Sequence, residues 1–153
     1  MKTLLIKFVF ITFISLFFLP ACNSDDDNSS NNDSKSKIED NVEMGTWRIT
    51  KYIDSGNDEL NHFIGYNFTF GNNNILTATN SSNSYNGTWS ISDSNSDDDS
   101  QDDLDFNIFF AAPPNFEDLS DDWHFISQMS TKIELIDVSG GNGGTDYLTF
   151  EKN

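Results

Sequence analysis

The residues best able to hold a metal lie together between Asp93 and Asp103, where six aspartates stand among serines, an asparagine and a glutamine. Asp93, Asn95, Asp97 and Asp99 alternate along this run, and the first three take the first, third and fifth places of a calcium-loop pattern. Calcium wants six to eight oxygen ligands, and the helix-flanked loop also wants glycine at its sixth place and glutamate at its twelfth. Asp98 and Leu104 stand there instead, so what remains is at most a weak, carboxylate-only calcium site. A solvated acidic hairpin loop is the default for such a run. His62 and His124 are the two histidines, too few for zinc, which takes three or four nitrogen and sulfur ligands. Both read as surface residues. No serine, histidine and acid fall in a nucleophile arrangement, and no carboxylate pair stands out from the general acidity. The chain is therefore expected to be non-catalytic, with no cofactor beyond weak calcium. The glycine run at 140–144 lacks the lysine and following helix of a phosphate loop and reads as a turn.

Cys22 is the one cysteine, so no internal disulfide can form. It follows a basic start (Lys2, Lys7) and an apolar run from Phe8 to Leu19 broken by Thr12 and Ser15. A basic segment, a short apolar core and a small residue at the cut make a secretory signal peptide, here residues 1–21. A membrane-spanning helix needs roughly 20 apolar residues, more than this run supplies. Leu19-Pro20-Ala21-Cys22 resembles the bacterial lipobox. That resemblance implies cleavage before Cys22 and a diacylglycerol on its sulfur. Residues 22–41 then read as a tether, because Asn23 to Ser34 contains no apolar residue with which to offset ordering entropy. Ser24-Asp25-Asp26-Asp27 also resembles the surface-export signal of Bacteroidota lipoproteins. The expected location is the outer membrane, lipid-anchored and facing outward if that signal operates.

Charge narrows the partners. Removing Lys2 and Lys7 with residues 1–21 leaves 6 basic residues against 25 acidic ones, a formal net charge of −19. Nucleic acid binds through a basic footprint, which is missing here, and such a chain tends to stay soluble and monomeric. The membrane is expected to be met through lipid alone.

Residues 42–153, roughly 110, are enough for one domain. Alternating apolar positions mark strands. Trp47, Ile49 and Ile53 share a face, as do Phe68 and Phe70. Ile75 to Thr79 follows, then Tyr85, Gly87, Trp89 and Ile91, then Leu104, Phe106, Ile108 and Phe110. Trp123 to Met129, a strand around Ile133 and Leu135, and Tyr147 to Phe150 complete eight. Glu59 to Ile64 suits one helical turn, and the long segment 111–120 suits a lid. No amphipathic helix of ten residues separates the strands, so parallel crossovers are excluded. The expected fold is all-β, an eight-stranded antiparallel up-and-down barrel, with a small sandwich satisfying the same pattern. Gly45-Thr46-Trp47 resembles the Gly-x-Trp signature of lipocalins. The resemblance implies a lipocalin-like barrel whose tryptophan plugs one end. Gly87-Thr88-Trp89-Ser90-Ile91 repeats the start of the first strand at a spacing of 42 residues, through half-barrel duplication or through two strands with the same packing need.

The expected function is binding of a small apolar ligand in the barrel, with a loop-borne surface interaction as the alternative. A small apolar ligand would sit inside, lined by Trp47, Phe68, Phe70, Trp89, Phe106 and Phe110. Alternatively those side chains fill the barrel, which then serves as a scaffold whose loops meet an envelope protein or a glycan. Open interior space separates the two.

Overall fold

The computed structural model describes residues 29–93, 104–138 and 144–153, with backbone alone for 29–32. The signal peptide, Cys22 and the start of the tether lie outside the described residues, as do Asn95, Asp97, Asp99 and the glycines at 140–143.

Eight strands form the barrel: β1 (Trp47–Asp54), β3 (Asn67–Gly71), β4 (Ile75–Thr79), β5 (Ser84–Asp93), β6 (Leu104–Phe109), β7 (Asp121–Gln128), β8 (Lys132–Val138) and β9 (Thr145–Lys152). The two-residue β2 (Asn57–Asp58) folds back on the end of β1 as a hairpin. Every neighbour pair is antiparallel, and each barrel strand lies beside the next one in sequence. β9 closes the ring on β1, from Trp47 opposite Lys152 to Ile53 opposite Tyr147. The barrel, rather than the sandwich, is formed. At the β1–β3 seam pairing is confined to Trp47 opposite Phe68.

Alternation places side chains as expected in most strands. Phe68, Phe70, Leu76, Ala78, Trp89, Ile91, Leu104, Phe106, Ile108, Ile133, Leu135, Leu148 and Phe150 are all buried. β1 departs from the expectation. Its register shifts between Ile49 and Lys51, and this bulge reverses the in–out phase of the rest of the strand. Tyr52 therefore turns inward in place of Ile53, and its hydroxyl donates to the Asp118 carbonyl at 2.6 Å.

The two Gly-Thr-Trp triplets have different physical grounds. Gly45 sits at φ +89°, a left-handed conformation that favours glycine. At Gly87 a Cβ would collide with the Phe109 carbonyl oxygen and lie 2.8 Å from the Phe110 ring. Separate packing needs account for the repeat without a duplication.

The tether is the main correction. The disordered tether expected over residues 22–41 is corrected for 29–41 alone, where Ser29–Glu43 forms helix α1. Ile38 and Val42, one helical turn apart, are buried against the barrel with Asn41 between them. Two apolar residues are a weak periodic signal, and the docking comes from elsewhere in the chain. The Trp47 indole N–H donates to the Val42 carbonyl at 2.9 Å, and the Asn41 amide donates to the Met129 carbonyl at 2.9 Å. Lys152 Nζ donates to Asn41 O at 3.1 Å, Asn41 Oδ1 at 3.0 Å and Ser130 O at 2.8 Å, and lies 4.7 Å above the Trp47 ring. A cation here meets the negative end of the helix. Replacing Lys152 with methionine keeps the aliphatic stem and removes these bonds, at a cost of about 1–3 kcal/mol. Hydrogen exchange should then quicken in 33–43 while the barrel strands keep their protection; unchanged exchange in α1 would refute the latch.

Candidate functional site

The six residues expected to line a ligand all face inward. Phe70, Trp89 and Phe106 pack on one another, Phe68 and Phe110 pack on Phe116, and Trp47 lies beneath the helix. Phe70 lies 5.6 Å from Trp89 and 5.4 Å from Phe106, centroid to centroid, and Phe150 lies 5.4 Å from Phe70 and 5.5 Å from Phe68. Most of these contacts are edge-to-face, the arrangement favoured by the ring quadrupole. Trp47 is fully buried at the helix end, under Val42 and Lys152.

The loop end is closed as well. Segment 111–120 carries the short helix α2 (Pro114–Glu117), and Phe116 points from it into the barrel mouth. Its ring lies 5.2 Å from Phe110, 5.3 Å from Phe63, 5.1 Å from Tyr66, 4.9 Å from Tyr85 and 6.1 Å from Phe68. Phe63 comes from the 3-10 turn Leu60–Phe63, within the helical turn expected over Glu59 to Ile64. The Ser120 hydroxyl ties the lid down by accepting from the Phe110 N–H at 2.8 Å. Phe116 and Phe150 are not singled out by the sequence; Phe116 is the one aromatic of segment 111–120, where with Leu119 it makes too short an apolar pattern to mark it.

Acidic groups ring this end. The Tyr52 phenol is pushed up from its ordinary pKa first by burial, then by Asp54, Asp118, Asp146 and Glu59, so it remains a neutral donor. Asp121 is pushed up from 3.8 to about 6, chiefly by burial and by its hydrogen bond with Asp122, with Asp137 adding repulsion. The histidines pair with acids. His62 Nδ1 lies 3.4 Å from Glu59, and His124 Nδ1 lies 2.7 Å from Oδ1 of Asp105, whose side chain is 8% exposed. Among the described residues no group of three or more His, Cys, Asp or Glu is placed to hold a metal. Of the calcium candidates, Asp93 ends β5 and is exposed.

Concavities open on the outside. One of about 280 Å³ lies over β5 and β6, lined by Asn74, Thr88, Ser90, Asn107, Phe109 and the backbone strip through Trp89 and Ile108. Another, of about 430 Å³, lies between Phe109, Phe110, Ala111, Glu117 and Ser120. A groove of about 660 Å³ runs between the end of α1 and β3. Phe109 borders the first two and is 57% exposed. It occupies an outward slot in a strand whose inward slots are already apolar, and that out-of-phase aromatic is the sequence signal that identifies it.

No family model matches the chain, and no curated protein matches it. Among solved structures it is similar to a DUF4847 family protein from Bacteroides vulgatus ATCC 8482, at 18% identity and a TM-score of 0.49, over 76% of this chain and 97% of that one.

The raised Asp121 value has a consequence for stability. The folded state holds this proton more tightly than the unfolded chain, so the contribution is complete below pH 3.8 and is lost as pH rises through about 6. Asp121→Asn should therefore melt higher than wild type at pH about 7.5, with the difference vanishing below about 4. An equal difference at both pH values would contradict the assignment.

Proposed function

We propose that this chain is a non-catalytic envelope lipoprotein, anchored by lipid on Cys22, whose solid barrel presents its outer surface to an envelope glycan or protein. The observation that carries this reading is the interior: the rings that would line a ligand chamber fill it, and both mouths are plugged. An interior ligand would have to displace Phe116 and separate rings that are already in contact, forfeiting packing of several kcal/mol, roughly that of a buried phenylalanine.

Helix α1 bears on how the barrel is held. In sequence, six residues separate Cys22 from the start of α1, a reach of at most about 20 Å. The helix adds about 22 Å if extended from the barrel. With α1 latched at the helix end, that end lies toward the lipid, while the flank and the loop end point away. The acidic surface, net −19 after cleavage, keeps the barrel off anionic headgroups. The sequence Ser24-Asp25-Asp26-Asp27 favours outward display at the outer membrane, and the same charge favours a monomer. Any calcium held by Asp93 and its neighbours would be weak and peripheral to this role.

Intact-mass spectrometry of protein purified from its host membranes, first denatured and then native, tests both halves. The expected result is a covalent diacylglycerol on a chain beginning at Cys22, absent in Cys22→Ser, which leaves the membrane fraction. No further lipid should ride along under native conditions. A bound apolar molecule retained by the Cys22→Ser protein would overturn the solid-barrel reading; membrane retention of that variant would overturn the anchor.

A further inference from the structure

We infer that the concavity over β5 and β6 walled by Phe109 is a binding site for a neutral oligosaccharide, an inference that rests on the outer surface being the working surface. Its lining is uncharged: two asparagines, a threonine, a serine, an aromatic ring and the backbone strip between them. In a chain with 22% charged residues and net charge −17, such a patch is out of character for the surface. An anionic ligand finds no cation here and meets the repulsion of the whole molecule, while a cationic ligand finds no carboxylate in the lining. A ligand with many hydroxyls and an apolar face finds both kinds of partner. The negative face of an exposed phenylalanine attracts the weakly positive C–H face of a sugar ring, and amides and hydroxyls exchange hydrogen bonds with its rim.

The site is also held rigid. Trp89 is bonded to the β3–β4 turn three times: its N–H donates to the Asn74 carbonyl at 3.0 Å, its carbonyl accepts from the Asn74 amide at 2.8 Å, and its indole donates to Gly71 O at 3.0 Å. Asn74 itself sits at φ +63° within this bracket. The Asn107 amide donates to Ser92 Oγ at 2.7 Å and to Ser90 O at 3.4 Å. Both amide planes are thus fixed by their nitrogens, which leaves the carbonyl oxygens as preset acceptors. Preorganised groups lose little freedom on binding, which matters for a shallow site. About 280 Å³ sits at the small end of ligand pockets and suits a single ring. Because Phe109 also borders the 430 Å³ concavity beside α2, a chain of two or more sugar residues can lie across it.

Isothermal titration of the full mature protein in detergent, with cellohexaose, maltohexaose, mannohexaose and xylohexaose, and with polygalacturonate as the anionic control, tests this directly. The expected result is binding of at least one neutral hexasaccharide and none of polygalacturonate. Phe109→Ala should weaken that binding tenfold or more, Phe109→Trp should retain it, and Asn107→Ala should weaken it severalfold. Phe109 is exposed, so the melting temperature should hold and a loss of binding cannot be laid to unfolding. Failure of all four neutral sugars, binding of polygalacturonate alone, or equal affinity in Phe109→Ala would each overturn the site. None of those outcomes touches the solid-barrel reading, which stands or falls on retained lipid.

Discussion

Closing eight strands into a ring leaves an interior about as wide as the side chains that point into it. In this barrel the inward slots carry phenylalanine and tryptophan, and that match of ring size to lumen governs the rest. Phe70, Trp89, Phe106 and Phe150 pack edge to face across the middle. Once the middle is full, the two mouths need only plugs: Phe116 with Phe63 at one, Trp47 beneath α1 at the other. Interiors packed at crystal-like density respond to each missing methylene, so the scaffold is stiff without a disulfide. On the proposed reading, recognition falls to the exterior of this stiff barrel.

The strands and their inward faces were legible because period-two alternation survives in β3 to β6 almost without interruption. The sequence was less informative wherever one element depends on another. The bulge after Ile49 has no local marker, yet it decides that Tyr52 and not Ile53 enters the core. Helix α1 is polar but for Ile38 and Val42, and its docking depends on Lys152, more than a hundred residues away. Phe116 is a single aromatic in an aperiodic loop. The candidate interior residues do face inward, but facing inward does not distinguish a lining from a filling; that depends on how rings from different strands meet. Phe109 was readable in principle, as an aromatic out of phase in its own strand.

Charge distribution obeys the same division of labour. The acids crowd the loop-end rim and, in sequence, the segment after Asp93. The lining of the concavity over β5 and β6 contains none of them, and its Asn74 is held by Trp89, a residue that belongs at once to the core and to the floor of that concavity. One tryptophan thus couples interior packing to the geometry of the exterior.

The filled interior is the central claim, and titration with the apolar fluorophore N-phenyl-1-naphthylamine tests it most directly. The fluorophore brightens when it enters a dry cavity. A packed barrel predicts no saturable rise in fluorescence with the native Cys22→Ser protein, and a rise only once heat or urea loosens the core. Saturable one-to-one binding to the folded protein, displaced by fatty acid, would contradict it.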